Sequence, residues 1–129
     1  EVAMHEQVGL LAYSPLAQGT LTGKYLGGQM PQGSRLALFG DGPLMMRYKG
    51  DKTQQAIEMY VNLAKKYEID PAQLAIQFCN IQPFVTSTII GATTMEQLKT
   101  CIDSVDLDIT KEIINEIRSI HKEIPNPAP

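Results

Sequence analysis

The sequence predicts an α/β fold in which strands and helices alternate along the chain. Two runs of apolar and β-branched residues have strand length, at about 8–13 and about 85–91. Four other segments repeat apolar residues with helical spacing. Strands separated by helices pair in parallel through right-handed crossovers. A parallel sheet is therefore expected.

The first strand runs from Val8 to Tyr13, and a Ser-Pro turn stops it because proline lacks a backbone donor. The second, Val85-Thr-Ser-Thr-Ile-Ile90, closes on Gly91. The first long helix is predicted over Asp51–Glu68, with its apolar stripe at Ala56, Tyr60, Leu63, Ala64 and Tyr67.

The second helix begins at Asp70-Pro71, an N-cap followed by proline at the first helical position. Its predicted buried residues are Leu74, Ala75, Phe78 and Cys79, the last as a small core thiol. It ends near Pro83.

The third helix starts at Thr93 or Thr94, since Thr93 with Glu96 and Thr94 with Gln97 both have capping-box spacing. Its predicted buried face comprises Met95, Leu98, Ile102 and Val105. The terminal helix, at about 111–124, is capped by Thr110 and buries Ile113, Ile117, Ile120 and Ile124.

Two parallel strands do not complete a sheet, because both faces need cover and two edges stay open. The order of elements predicts the last two βα units and the terminal helix of a (β/α)8 TIM barrel, whose sites lie at the carboxyl ends of its strands. The chain begins at Glu1 and soon enters a strand typical of a protein interior. We therefore expect residues 1–129 to be the C-terminal part of a longer protein.

The composition and net charge of the chain limit the kinds of partner that it is expected to bind. A formal net charge of −3 argues against nucleic acid or an anionic membrane as the main partner. No apolar run approaches the ~20 residues that span a bilayer. Cys79 and Cys101 form no disulfide framework, so a reducing, cytoplasmic setting is expected. No metal site is predicted, and His5 and His121 fit solvated surface positions.

The segment Gly19-Thr-Leu-Thr-Gly-Lys24 follows the first strand with small residues, hydroxyls and a cation. Backbone donors and lysine at a strand's carboxyl end bind phosphate groups in α/β proteins. An ordinary strand-to-helix connection fits the same spacing. A Walker A loop does not, because that motif places four residues between its first glycine and Gly-Lys.

Residues 26–50 form a glycine-rich stretch without periodicity, predicted as a long loop. It carries Arg35, Arg47 and Lys49. This loop could fold over an anionic ligand bound beside the segment Gly19–Lys24, or it could be a surface loop with no role in binding.

Two motifs carry a resemblance to a known family. The run from Ala12 to Tyr25, AYSPLAQGTLTGKY, resembles the seventh-strand segment of aldo-keto reductases. The run from Ile89 to Thr100, IIGATTMEQLKT, resembles their eighth-strand segment. The motifs have the right separation, and the likeness runs along the whole chain to the Pro-Ala-Pro ending. It is strongest toward the bacterial Tas-like NADP(H)-dependent members.

The resemblance implies NADP(H) as cofactor and a small carbonyl compound as substrate. Tyr13 would stack on the nicotinamide ring, and Arg35 would lie near the adenosine 2′-phosphate. The pyrophosphate would be lined by Ser14, Pro15, Leu16, Thr22, Gly23 and Lys24. The adenosine end would be held by Gly91, Thr93 and Gln97, with Cys101 at an adenine contact. Cys101 and Thr100 depart from the Asn and Glu common in relatives, which implies weaker binding at that edge.

The family's catalytic Asp, Tyr, Lys and His lie on earlier strands, so no residue of this chain is expected to be catalytic. The resemblance therefore implies the cofactor-binding part of a carbonyl reductase. One alternative is a non-catalytic nucleotide-sensing module like the potassium-channel β subunits. Another is a half-barrel that dimerises to complete its sheet. The sequence does not specify the carbonyl substrate or the oligomeric state.

Overall fold

The computed structural model describes residues 1–40 and 42–129; Asp41, within the predicted loop 26–50, lies outside the described residues. The strands are β1 (Leu10–Tyr13) and β2 (Val85–Ile89). The helices are α1 (Val2–His5), α2 (Arg35–Phe39), α3 (Pro43–Met46), α4 (Asp51–Lys66), α5 (Pro71–Asn80), α6 (Met95–Asp103) and α7 (Lys111–Glu123). Segments of 3-10 helix span Ala17–Thr22, Leu26–Gly28 and Ser104–Asp106.

β1 and β2 pair in parallel, as expected from the alternation of strands and helices. Leu10 lies opposite Val85 and Tyr13 lies opposite Ile89, with an irregularity in the register between Leu10 and Leu11. The ladder begins at Leu10 rather than Val8. A Cβ added to Gly9 would collide with the Thr86 hydroxyl, so a larger residue there would force the Thr86 side chain to move.

The main core lies between α4, α5 and α7. Its buried side chains are Leu63, Ala64, Leu74, Ile109, Ile113, Ile117 and Ile120. The predicted isoleucine stripe of the terminal helix is confirmed, since all four of its members are buried. α5 is packed on several sides, because it contacts α4, α6 and β2. Its most buried residue is Ile76, which the predicted stripe omitted.

Side-chain caps fix where the helices begin. The Asp70 carboxylate accepts from the backbone N–H groups of Ala72 and Gln73 at 2.8 and 3.1 Å, as the Asp-Pro pair predicts. Thr94, rather than Thr93, caps α6 by accepting from Gln97 N at 3.2 Å. Thr110 caps α7 by accepting from Ile113 N at 3.3 Å.

The predicted buried face of α6 is wrong in part. Met95, Ile102 and Val105 are 78%, 55% and 62% exposed, whereas Cys101 is 5% exposed. The helix packs on α5, and a cavity of about 560 Å³, lined in part by Ile102 and Val105, separates it from β2. Helical spacing identified the apolar positions but did not show that this groove is open.

The stretch 26–50 is more ordered than its composition predicts, because it contains α2 and α3. Ser34 caps α2 by accepting from Ala37 N at 3.3 Å, and Pro43 occupies the first turn of α3. Both helices are only one turn long. Such short helices carry too few apolar repeats to give a periodic signal.

A polar cluster joins α4 to α7 at the edge of the core. Lys66 Nζ lies 2.7 and 2.9 Å from the Glu116 carboxylate oxygens, and the Tyr67 hydroxyl donates to the same carboxylate. These hydrogen bonds lower the pKa of Glu116. The bond to Glu116 is also the main reason why the pKa of Tyr67 is raised from 10.0 to about 12.

The Tyr67 hydrogen bond is expected to make stability fall at alkaline pH. Because the folded-state pKa of Tyr67 is about 12 and its ordinary value is 10.0, this contribution is complete below pH 10 and is lost between pH 10 and 12. Urea unfolding across that interval should therefore show a steeper loss for the natural chain than for Tyr67→Phe. Glu116→Gln should return the tyrosinate titration of Tyr67 toward 10. An unchanged titration in Glu116→Gln would contradict the assignment.

Candidate functional site

The candidate site lies where the two strands end. Because β1 and β2 are parallel and Tyr13 lies opposite Ile89, the segments that follow them leave the sheet at the same edge. These segments are residues 14–24 and residues 90–97. The sequence placed its candidate residues in these two segments, and the register brings the two starting points together.

The segment after β1 has an unusual backbone. Ser14, Ala17 and Gln18 have φ values of 57°, 47° and 61°, in the left-handed region that non-glycine residues seldom adopt. Such conformations cost free energy and cluster at ligand sites. Glycine is favoured at position 23 on two counts, since its φ is 80° and a Cβ there would lie 3.1 Å from both Val61 methyl groups.

Side chains of this segment hold its own backbone. The hydroxyls of Thr20 and Thr22 donate to the carbonyl oxygens of Ala17 and Gly19, each at 2.8 Å. The Thr22 hydroxyl also accepts from Lys24 N at 3.4 Å. The predicted pyrophosphate residues after Tyr13 are all half-buried: Ser14, Pro15, Leu16, Thr22, Gly23 and Lys24. The segment is thus a fixed turn.

Tyr25 links Lys24 to the helix that carries Arg35. Its ring is buried, and Lys24 Nζ lies 5.2 Å from the ring centroid. Its hydroxyl accepts from Leu36 N at 3.4 Å, which ties it to the first turn of α2. Arg35 is the first residue of that helix and is exposed. Lys24 and Arg35 are therefore anchored through one buried tyrosine.

The segment after β2 is more open. Gly91, Thr93 and Gln97 are all exposed. The Gln97 side-chain oxygen accepts from Thr93 N and from the Thr93 hydroxyl, at 3.0 and 3.1 Å. This leaves the Gln97 amide nitrogen as a donor that can face a ligand. A Cβ on Gly91 would meet open space, so local packing does not require glycine there.

Cys101 lies apart from these exposed residues. It is 5% exposed and lines the cavity between α5, β2 and α6. Burial, with a smaller effect of the Asp70 charge, raises the pKa of its thiol. The thiol therefore stays protonated at neutral pH and packs as a small apolar group.

A second cavity, of about 420 Å³, adjoins the end of β1 and is here called the Tyr13 pocket. Its lining residues are Tyr13, Ser14, Gln18, Leu44, Arg47, Tyr48, Asn126, Pro127 and Ala128. The Tyr13 side chain is 79% exposed, so its ring is available for stacking. Sequence reasoning assigned no role here to Gln18, Tyr48 or the tail. Gln18 lies within a motif that the sequence singled out, whereas no local pattern connects the tail with β1.

The described part of the chain shows neither a cluster of metal ligands nor a membrane-spanning helix. Within residues 1–40 and 42–129, no three His, Cys, Asp or Glu side chains come together as metal ligands. No helix in the same ranges is both long enough and apolar enough to cross a bilayer. His5 and His121 are exposed, on α1 and α7.

Comparison with known proteins defines the family. Residues 1–122 match the aldo/keto reductase family. The chain belongs to this family. The expectation drawn from the Ala12–Tyr25 and Ile89–Thr100 motifs is thereby confirmed.

Individual members show how much of an aldo-keto reductase the chain covers. It is 49% identical to the protein tas of Escherichia coli strain K12 over 129 residues, which is 100% of the chain and 36% of that protein. It is 38% identical to an aldo-keto reductase of Babesia bovis over 118 residues, 88% of the chain and 41% of the relative. A probable voltage-gated potassium channel subunit beta of Oryza sativa subsp. japonica is 35% identical over 120 residues, 92% of the chain and 37% of the relative. The chain thus spans little more than a third of these relatives' length.

Proposed function

We propose that this chain supplies the NADP(H)-binding end of an aldo-keto reductase that reduces aldehydes or ketones. In this proposal it forms the last two βα units and the terminal helix of a (β/α)8 barrel. The carrying observation is the parallel pairing that sets Tyr13 opposite Ile89. Because of this pairing, residues 14–24 and residues 90–97 begin side by side at the carboxyl edge of the sheet. Barrels of this kind have their active sites at that edge.

The side chains at this edge fit a dinucleotide. The exposed Tyr13 ring offers an aromatic face to the nicotinamide. Lys24 and the Ser14 hydroxyl suit the pyrophosphate, since charge-assisted hydrogen bonds to phosphate are strong, while Thr22 shapes the turn beside it by donating to the Gly19 carbonyl oxygen. Arg35 presents a planar guanidinium that suits the 2′-phosphate of NADP. Gly91, Thr93 and Gln97 follow in order along the second segment, which begins at the same edge of the sheet, and suit the adenosine.

In this proposal the chain binds and orients, and it contributes no proton-transfer group. The cofactor supplies a hydride when bound. Tyr13 would stack on the ring that carries it, and the hydrogen-bonded turn at 14–24 would hold the groups that face the pyrophosphate. Lys24 and Arg35 neutralise phosphate charge. The catalytic acid belongs to the part of the barrel outside this chain, which is also where the carbonyl substrate is selected.

A second candidate function is a nucleotide-sensing regulatory module. It is favoured by the 35% identity to the probable potassium channel subunit beta of Oryza sativa subsp. japonica. The same cofactor residues would serve it. The 38% identity to the aldo-keto reductase of Babesia bovis supports the reductase as the first candidate.

The proposal includes a reducing, cytoplasmic setting. Both cysteines are free thiols, Cys101 buried and Cys79 half-buried. Burial raises the pKa of both thiols, which favours the less reactive protonated form at neutral pH.

Two assays with NADPH and a simple aldehyde test the proposal. The isolated 129-residue chain should show no NADPH-dependent reduction, because it holds no catalytic acid. The natural gene product that contains it should bind NADPH and reduce the aldehyde. Turnover by the isolated chain would contradict the placement of catalysis. NADPH binding by the whole gene product without turnover would favour the sensing module, and no binding at all would overturn both.

A further inference from the structure

The C-terminal tail is pinned to the surface by two side chains from distant elements. Arg47 donates to the Ala128 carbonyl oxygen from Nη2 at 2.6 Å and from Nε at 3.2 Å. The Thr53 hydroxyl donates to the carbonyl oxygen of Pro127. Arg47 follows α3, and Thr53 lies in the first turn of α4. Two adjacent carbonyls of the tail are therefore held by two donors that are close in sequence to each other.

The composition of the tail favours anchoring through its carbonyl oxygens. Pro125, Pro127 and Pro129 have no backbone N–H, so the tail cannot form a ladder or a helix with its neighbours. Only Asn126 and Ala128 keep a backbone N–H in this stretch, so carbonyl oxygens are most of its backbone hydrogen-bonding groups. Both anchoring bonds use such carbonyls, and both donors come from the body of the protein.

The two donors are themselves held in place. Thr53 is 3% exposed. The guanidinium of Arg47 lies 5.8 Å from the ring centroid of Tyr48. Gln54 Nε2 donates to Tyr48 O at 2.6 Å, which fixes the turn after α3 to α4. Arg47 is thus directed at the tail by its surroundings, although the sequence grouped it with Arg35 and Lys49 as a cation for an anionic ligand.

The pinned residues form part of the Tyr13 pocket. Asn126, Pro127 and Ala128 line it together with Tyr13, Ser14 and Arg47. Release of the tail would remove one wall of this cavity. The contacts of Arg47 and Thr53 with the tail therefore affect the shape of the pocket. They can influence a bound ligand even if neither side chain touches it.

We propose that Arg47 and Thr53 are positioning residues that hold the C-terminal tail as a wall of the Tyr13 pocket. This role makes the tail a determinant of how tightly the pocket holds its ligand. The identification of that ligand as the nicotinamide end of NADP(H) rests on the proposed function. The pinning itself does not depend on it.

The first experiment tests the pinning without any ligand. The {¹H}-¹⁵N nuclear Overhauser effect of the Ala128 amide reports its motion on the picosecond to nanosecond timescale. In the natural chain it should match that of Glu123 in α7. It should fall to values typical of a free terminus in Arg47→Gln and in Thr53→Val, which keeps the shape of the side chain without the hydroxyl. Arg118→Gln removes the same charge from an exposed position of α7 and should leave Ala128 unchanged.

Two results of that experiment would overturn the proposal. One is an Ala128 amide that is already as mobile as a free terminus in the natural chain. The other is an Ala128 amide that stays ordered in both Arg47→Gln and Thr53→Val. Arg47 is exposed, so its replacement is not expected to disturb folding, and the remaining amide spectrum checks this directly.

The second experiment links the pinned tail to the ligand, in the natural gene product. Deletion of residues 126–129 and Arg47→Gln should each weaken NADPH binding by a similar factor, about threefold to tenfold. The two changes combined should be no worse than either alone, because both remove one wall. If Arg47 instead binds phosphate, Arg47→Gln will weaken binding further in the truncated protein, and the positioning role is overturned. If the unaltered protein fails to bind NADPH, the proposed function fails, and the nuclear Overhauser experiment alone decides the pinning.

Discussion

Replacing Arg35 by alanine is expected to weaken NADPH binding about tenfold to a hundredfold while leaving NADH binding nearly unchanged. Arg35 is exposed on the first turn of α2, and the buried Tyr25 ties that turn to Lys24. The 2′-phosphate is the only group that NADPH has and NADH lacks. In the proposed function the Arg35 guanidinium contacts this group, so its removal should affect one cofactor and not the other.

The measurement is a fluorescence titration of the natural gene product with each cofactor. Arg35→Lys should recover part of the lost affinity, because it keeps the charge and loses the planar fork. Arg118→Ala, which removes an exposed arginine from α7, serves as the control and should change neither affinity. Equal weakening of NADPH and NADH by Arg35→Ala would show that Arg35 does not recognise the 2′-phosphate.

Replacing Ile113 by alanine is expected to lower the free energy of unfolding of the chain by about 2–5 kcal/mol. Ile113 is 3% exposed and belongs to the cluster between α4, α5 and α7. The substitution removes buried methyl and methylene groups and leaves a cavity among side chains that cannot fully collapse. Urea unfolding followed by circular dichroism gives the difference directly.

Ile102→Ala is the matched control for this prediction. Ile102 is also an isoleucine on an amphipathic helix, and its spacing also predicts burial, yet it is 55% exposed. Its replacement should cost less than about 1 kcal/mol. Equal losses for Ile102 and Ile113 would mean that α6 packs more tightly on β2 than the cavity between them indicates.

These two isoleucines show when the periodicity of the sequence predicts burial correctly and when it does not. On α7, one apolar stripe meets one partner surface, so Ile113, Ile117, Ile120 and Ile124 could all be predicted as buried. On α6, the stripe faces a groove that its neighbours leave open, and periodicity carries no information about the neighbour. α5 shows the opposite case. It is covered on several sides, so the single stripe predicted for it left out Ile76, its most buried residue.

The candidate site also has features that could be predicted from the sequence and features that could not. The sequence located the segments 14–24 and 90–97, because strand, turn and helix-start signals are local. Parallel pairing of their strands followed from the order of the elements. The Tyr13 pocket could not be predicted, because its wall comes from Asn126–Ala128, more than a hundred positions away in the chain. The Arg47–Ala128 contact is equally non-local, and charge alone suggested a different partner for Arg47.

The register of the sheet has a consequence for the order in which the chain folds. Leu10 pairs with Val85, so this contact closes a loop that contains α2 to α5. The helical cluster needs only contacts within residues 63–120, and its pairing of α4 with α5 is local in sequence. Closing a long loop costs entropy before any contact repays it. We therefore expect α4, α5 and α7 to collapse first and β1 to dock on β2 in a later, slower step. The carboxyl edge that carries Tyr13 would then be among the last features of the chain to form.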